Sequence, residues 1–119
     1  MAKVLIVDDD DDIRLMVRKS FERFGWIADE AASGDQAMTL DWASYDVLVL
    51  DQSMPGMQGD EFALHVRRAD YSGTIVFYSA HITKALERKL HEEVNLSLYL
   101  VSKSDITKLF EVIRELTAA

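Results

Sequence analysis

The sequence predicts an α/β fold, a doubly wound parallel sheet of five strands with five helices arranged in three layers. Three observations predict it. Short apolar, β-branched runs recur along the 119 residues, helical patterns separate them, and no linker, repeat or low-complexity stretch interrupts the alternation. Right-handed crossovers between parallel strands put helices on both faces of such a sheet. Five strands in this alternation suggest the order 2-1-3-4-5, with a ligand crevice beyond the carboxyl ends of the first and third strands.

The strands are read at "KVLIV" (3 to 7), "DVLVL" (46 to 50), "TIVFY" (74 to 78) and "LYLV" (98 to 101), with a weaker one at "WIADEAA" (26 to 32). Four of them are almost wholly apolar, as strands covered on both faces should be. In the first helix Ile13, Val17, Phe21 and Phe24 recur at helical spacing, Asp10 or Asp11 caps the start and Gly25 stops the end. The second and third helices are read at 33 to 43 and 59 to 69, the latter with Phe62, Val66 and Ala69 in line. A fourth, 81 to 94, is highly charged with a thin stripe of Ile82, Leu86 and Leu90, and is expected to be the least firmly held. The last, from Ser104 or Asp105 to about Leu116, places Ile106, Leu109, Phe110, Ile113 and Leu116 on one face. The whole is a flavodoxin-like arrangement, expected as a single domain over 1–119.

Composition narrows the function. Against 13 lysines and arginines stand 21 aspartates and glutamates, a formal charge of −8 that disfavours direct binding of nucleic acid or an anionic membrane. With no cysteine there is no disulfide, thiolate metal site or cysteine nucleophile. No apolar run reaches membrane-spanning length and no secretory leader is evident, so a cytoplasmic location is expected.

Five consecutive aspartates, Asp8 to Asp12, follow the first strand. Like charges so crowded are costly unless a cation sits among them. Asp10 to Asp12 suit the acidic first turn of a helix, whose dipole favours them. Asp8 and Asp9 enter the crevice from the first strand, and Asp51 enters it from the third. Taken alone, the first pair reads equally well as a metal site or as solvated charge; Asp51 tips the balance to a site. Hard oxygen donors without histidine or cysteine suit Mg²⁺, with Mn²⁺ a close substitute. Ser79 ends the fourth strand and Lys103 follows the fifth, bringing a hydroxyl and an ammonium to the same edge. A carboxylate nucleophile, a divalent cation, a hydroxyl and a fixed ammonium are what phosphoryl transfer requires. After Asp51, Pro55 and Gly56 suit the centre of a type II turn, which would free the Ser53 carbonyl toward a metal.

The set "VDDD", "DVLVLDQSMPGMQG", "YSA" and "SKS" resembles the receiver domain of two-component response regulators over essentially the whole chain. The resemblance implies that Asp51 accepts a phosphoryl group from a phosphohistidine on a sensor histidine kinase or histidine phosphotransfer protein. It implies Mg²⁺ held by Asp9, Asp51 and the backbone carbonyl of Ser53 with Asp8 nearby, Ser79 bonded to the phosphoryl group, and Lys103 paired with it. Phosphorylation would shift the ends of the fourth and fifth strands and the fourth helix. The kinase would dock near the first helix, and a downstream protein, effector domain or second copy would meet the fourth helix, fifth strand and fifth helix. Such a domain is a switch that assists only its own phosphorylation and dephosphorylation, not an enzyme acting on other substrates.

Departures from the family pattern touch three places. Ser104 stands where proline usually follows the lysine, which leaves open whether the cis peptide common there is kept, because outside X-Pro it is expensive. Leu100 holds the position of the aromatic switch residue, with Tyr99 one earlier; strand alternation turns Tyr99 to the opposite face unless a bulge returns it. Gln52, Ser53 and His81 hold positions that tune phosphoryl lifetime in the family, although a lone histidine there is more often a plain surface residue. Two further readings are a degenerate receiver that binds partners without phosphorylation and a Mg²⁺-dependent aspartyl-phosphate phosphatase. The second lacks the acid two residues after the nucleophile, where Ser53 stands. An FMN-binding electron carrier is disfavoured because the aspartate run would repel the cofactor's phosphate.

Overall fold

The computed structural model describes residues 2–94 and 97–118, so both ends of the expected 1–119 span lie just outside the described residues. Strands β1 (Lys3–Val7), β2 (Ile27–Ala31), β3 (Val47–Leu50), β4 (Thr74–Ser79) and β5 (Leu98–Ser102) form one parallel sheet in the order β2-β1-β3-β4-β5. All four residues of β3 are buried, as its unbroken apolar sequence requires of a central strand. By contrast β2 lies at the edge and alternates exposed with more covered residues, which is why its pattern was the weakest in the sequence.

Helices α1 (Asp11–Glu22) and α5 (Ile106–Thr117) cover one face of the sheet. The other face carries α2 (Gly34–Met38), α3 (Gly59–Arg68) and the segment of α4 (Lys84–Lys89), which continues as a π-helical turn, Leu90–Val94. Side chains of alternating parity on the strands feed two separate cores. Leu5, Leu48, Ile75 and Phe77 meet Phe62 and Leu90 on one side, while Ile6, Val49 and Val76 meet Val17, Phe21 and Leu109 on the other. Complete burial of a side chain such as Phe21 or Phe62 contributes about 2–3 kcal/mol. Among the described residues, no helix is long and apolar enough to cross a membrane.

Local chemistry sets the helix limits. In α1 the Asp10 side chain accepts from the N–H groups of Asp12 and Ile13, and Gly25 at φ +82° turns the chain away. The helix has already ended when Phe24 is reached, so that ring is 51% exposed rather than part of the buried stripe. The helix expected over 33 to 43 is shorter. Ser33 caps α2, but the hydroxyl of Thr39 turns back to the Gln36 carbonyl at 2.7 Å, Leu40 N–H bonds to Ala37, and a separate 3₁₀ turn follows at Trp42–Ser44. In α3, Phe62 and Val66 are buried as expected; Ala69 lies beyond the last helical turn and is exposed.

The fourth helix starts later than the expected residue 81. Thr83 takes the cap, accepting from Leu86 N–H at 3.1 Å, so His81 and Ile82 precede the helix. Only Leu90 and Val94 of this segment are fully buried, both in the π-helical turn. On α5 the buried stripe is Leu109, Val112 and Ile113, with Leu116 partly covered. It is rotated from the expected one, which leaves Ile106 and Phe110 44% and 41% exposed.

Candidate functional site

Sheet register brings the aspartates together. Val7 pairs with Leu50, and the ladder continues one residue further: Asp8 N–H donates to the Ala31 carbonyl at 3.1 Å and Asp51 N–H to the Val7 carbonyl at 2.9 Å. Asp8 and Asp51 therefore leave adjacent strands side by side, both buried, with Asp9 exposed at the mouth. One carboxylate oxygen from each of the three lies within 4.8 Å of the others.

Lys103 arrives by the same device on the other side. Its N–H donates to the Ser79 carbonyl at 2.9 Å, extending the pairing of β4 with β5. The ammonium Nζ then lies 2.9 Å from Asp8 Oδ2 and 3.2 Å from Asp51 Oδ2. Burial raises the Asp8 carboxyl above its ordinary value; the Asp10 N–H and Lys103, which favour its charged form, do not fully offset this. Burial also pulls Lys103 down, but its hydrogen bond to Asp8 and the charges of Asp8 and Asp51 outweigh that, so it ends above its ordinary value. The donor set is all hard oxygen and already holds one cation, which fits a small divalent ion.

Ser79 is 1% exposed, and among the described residues its Oγ has no hydrogen-bond partner. Buried hydroxyls are rarely left so. The loop after Asp51 turns at Gly56, whose φ of +76° is that of the third residue of a type II turn. That turn is held by Asp35, which accepts from Met57 N–H at 3.2 Å. Ser53 is exposed within the same loop.

The remaining expected residues fall elsewhere. Gln52 turns onto the start of α3, where its Oε1 accepts from Asp60 N–H at 2.8 Å. His81 is exposed in the turn between β4 and α4. Tyr99 packs on the α1 and α5 side of the sheet and donates to Glu115 Oε1 at 3.1 Å, whereas Leu100 packs on the α3 and α4 side. No bulge restores Tyr99 to the Ser79 side, since β5 pairs with β4 residue for residue. All peptides between described residues are trans, including Lys103–Ser104, and Ser104 N–H bonds to Ser102 Oγ at 3.2 Å.

Sequence reasoning missed Arg14. Its guanidinium donates to the Asp8 carbonyl at 2.6 Å and to Glu30 Oε1 at 3.0 Å, and also bonds Asp11, tying the aspartate loop to β2. On the helical pattern Arg14 is just another polar residue, and nothing local marks its partnership with Glu30.

A family model for the response regulator receiver domain matches residues 4–114. Among curated proteins, the transcriptional regulatory protein ResD of Bacillus subtilis is 41% identical over 67 residues, a stretch that is 56% of this chain and 28% of ResD. A LuxR-family two-component response regulator from Aurantimonas sp. SI85-9A1 superposes with a TM-score of 0.82 at 30% identity, covering 98% of this chain and 85% of that one. The response regulator TrrA of Thermotoga maritima, solved in complex with Mg²⁺-BeF, gives 0.79 at 26% identity over 98% and 99% of the two chains. With a model match over nearly its whole length and the sheet order and acidic pocket described above, the chain belongs to the receiver-domain family of two-component response regulators.

Proposed function

We propose that this chain is a phosphorylation switch in which Asp51 accepts a phosphoryl group from a phosphohistidine of a sensor histidine kinase or histidine phosphotransfer protein, in the cytoplasm. The observation that carries it is the buried Ser79 hydroxyl, without a hydrogen-bond partner among the described residues, at the edge where Lys103 reaches Asp8 and Asp51. An incoming phosphoryl group supplies the acceptor oxygens that Ser79 lacks and the anion that Lys103 can pair with.

In the transfer, an Asp51 carboxylate oxygen forms a bond to phosphorus as the bond from phosphorus to the imidazole nitrogen breaks. The imidazole leaves carrying the electron pair and takes up a proton. Lys103 moves its charge from two carboxylates toward the equatorial oxygens, and Ser79 donates its hydroxyl hydrogen to one of them. Asp8, Asp9, Asp51 and the Ser53 carbonyl are the groups that would hold Mg²⁺, which when bound neutralises charge on the transferring group. The likeness to TrrA in its Mg²⁺-BeF complex supports this assignment.

Drawing Ser79 and Lys103 inward moves the ends of β4 and β5, between which lies the thinly anchored α4. The surface of α4, β5 and α5 is then the face offered to a downstream protein, an effector domain or a second copy of the chain. Intact-protein mass after incubation with acetyl phosphate and Mg²⁺, sampled early, tests the nucleophile. A single Mg²⁺-dependent phosphoryl adduct, missing in Asp51→Asn, is the expected result. A folded protein that takes no adduct from several donors overturns it.

A further inference from the structure

The residue after Asp51 is committed to a network that ends on α4. Gln52 accepts from Asp60 N–H at 2.8 Å, and its Nε2 donates to Asp60 Oδ1 at 2.9 Å and to Gln58 Oε1 at 3.2 Å. Its backbone carbonyl accepts from Gly59 N–H at 3.1 Å. No slack separates α3 from this peptide, since a Cβ on Gly59 would lie 2.2 Å from the Asp51 carbonyl oxygen. The start of α3 and the peptide that carries Asp51 therefore move together.

Asp60 spends its second carboxylate oxygen differently. Oδ2 accepts from Lys89 Nζ at 2.7 Å, and Lys89 is the last α-helical residue of α4 before the π-helical turn. Asp60 is 9% exposed, so its carboxylate is held by Gln52 on one side and Lys89 on the other with little recourse to water. The Lys89 side chain is 44% exposed and can be drawn away by whatever binds α4.

We propose that Asp60 is a positioning residue that couples the placement of α4, through Lys89, to the Asp51–Gln52 peptide, so that pulling α4 from Asp60 lowers the affinity of the acidic pocket for a phosphoryl group. Coupling between two sites is reciprocal. Occupancy of the pocket strengthens the hold on Lys89, and a partner that needs α4 released prefers the unphosphorylated chain. This rests on Asp51 as the phosphoacceptor, and it adds a regulatory path through residues outside the pocket.

The test uses Lys89→Gln, a half-exposed site that leaves the fold intact, with Lys89→Arg as the conservative variant. Two readouts are taken: backbone amide NMR shifts of Gln52 and Gly59 in metal-free protein, and affinity for beryllofluoride with Mg²⁺. The expected result is displaced Gln52 and Gly59 amides and an affinity loss of about three- to tenfold in Lys89→Gln, both restored in Lys89→Arg. Unchanged amides and affinity in Lys89→Gln overturn the coupling. Should the parent chain take neither beryllofluoride nor a phosphoryl group, the Asp51 assignment fails, and the amide shifts alone then decide whether α4 reaches the Asp51–Gln52 peptide.

Discussion

The Tyr99 hydroxyl donates to Glu115 at 3.1 Å on the α5 side of the sheet, opposite the side on which Leu100 packs. By strand alternation and the pairing of Phe77 with Leu100, it is Leu100 that shares a face with Ser79. Tyr99→Phe is expected to cost about 0.5 kcal/mol in unfolding free energy, the net worth of an exposed hydrogen bond. It should leave the spectral change caused by phosphorylation intact. Leu100→Tyr should alter that change and the affinity for a downstream partner; equal effects of the two substitutions would contradict the facial assignment.

Asp8 gives a pH and metal prediction of definite sign. Burial raises its folded-state pKa, so the folded protein holds the proton more tightly than the unfolded chain does. The ionised carboxylate thus costs stability, fully so above the raised value, and the cost is relieved as pH falls through it toward the unfolded one. In EDTA at neutral pH, Asp8→Asn should melt at a higher temperature than the parent. Adding Mg²⁺ should stabilise the parent, by about 2.7 kcal/mol at a hundred times the dissociation constant, and stabilise the variant much less. Thermal melts with and without Mg²⁺ check both signs.

Gly59 is required by space, not by backbone conformation. A methyl group there meets the Asp51 carbonyl at 2.2 Å and the Gln52 Cα at 3.1 Å, and neither is a flexible side-chain end. Gly59→Ala should cost about 1–3 kcal/mol, as overpacking does, and slow phosphorylation by a small donor because the displaced peptide carries Asp51. Denaturant titration and adduct formation followed by mass are the measurements. A variant that is destabilised but phosphorylated at the parent rate would separate the two effects.

The face of α5 separates two residues that look alike in the sequence. Leu109→Ala, at a fully buried position, should cost about 2–5 kcal/mol. Phe110→Ser, at a position 41% exposed, should stay within about 0.5 kcal/mol, a typical surface effect. Urea denaturation of the two variants checks the rotated stripe directly.

That rotation shows where sequence reasoning ran out. Four of the five strands were legible because each is a short apolar run bounded by polar or turn residues, β2 at the sheet edge being the weak one, and Asp8, Asp51, Ser79 and Lys103 were placed because each follows or ends such a run. Helix faces were less so. Ile106 and Phe110 fit an apolar stripe as well as Val112 does, and only the packing of α5 against α1 and β5 selects among them. Helix ends depended on which of several hydroxyls takes the cap, as Thr83 does for α4 and Thr39 does in closing α2. Pairs such as Asp60 with Lys89 and Arg14 with Glu30 are distant in the chain, so no local pattern announces them.

The sheet keeps its two cores apart, one lined by α1 and α5 and the other by α2, α3 and the α4 segment. Side chains from opposite faces meet only through backbone, so substitutions on one face should add to those on the other with little interference. Such insulation lets a lineage rewrite the surface on the α1 side without re-solving the packing beneath α4. The α5 helix shares its core with α1, so of the two helices in the proposed output face only α4 can change independently of the α1 side.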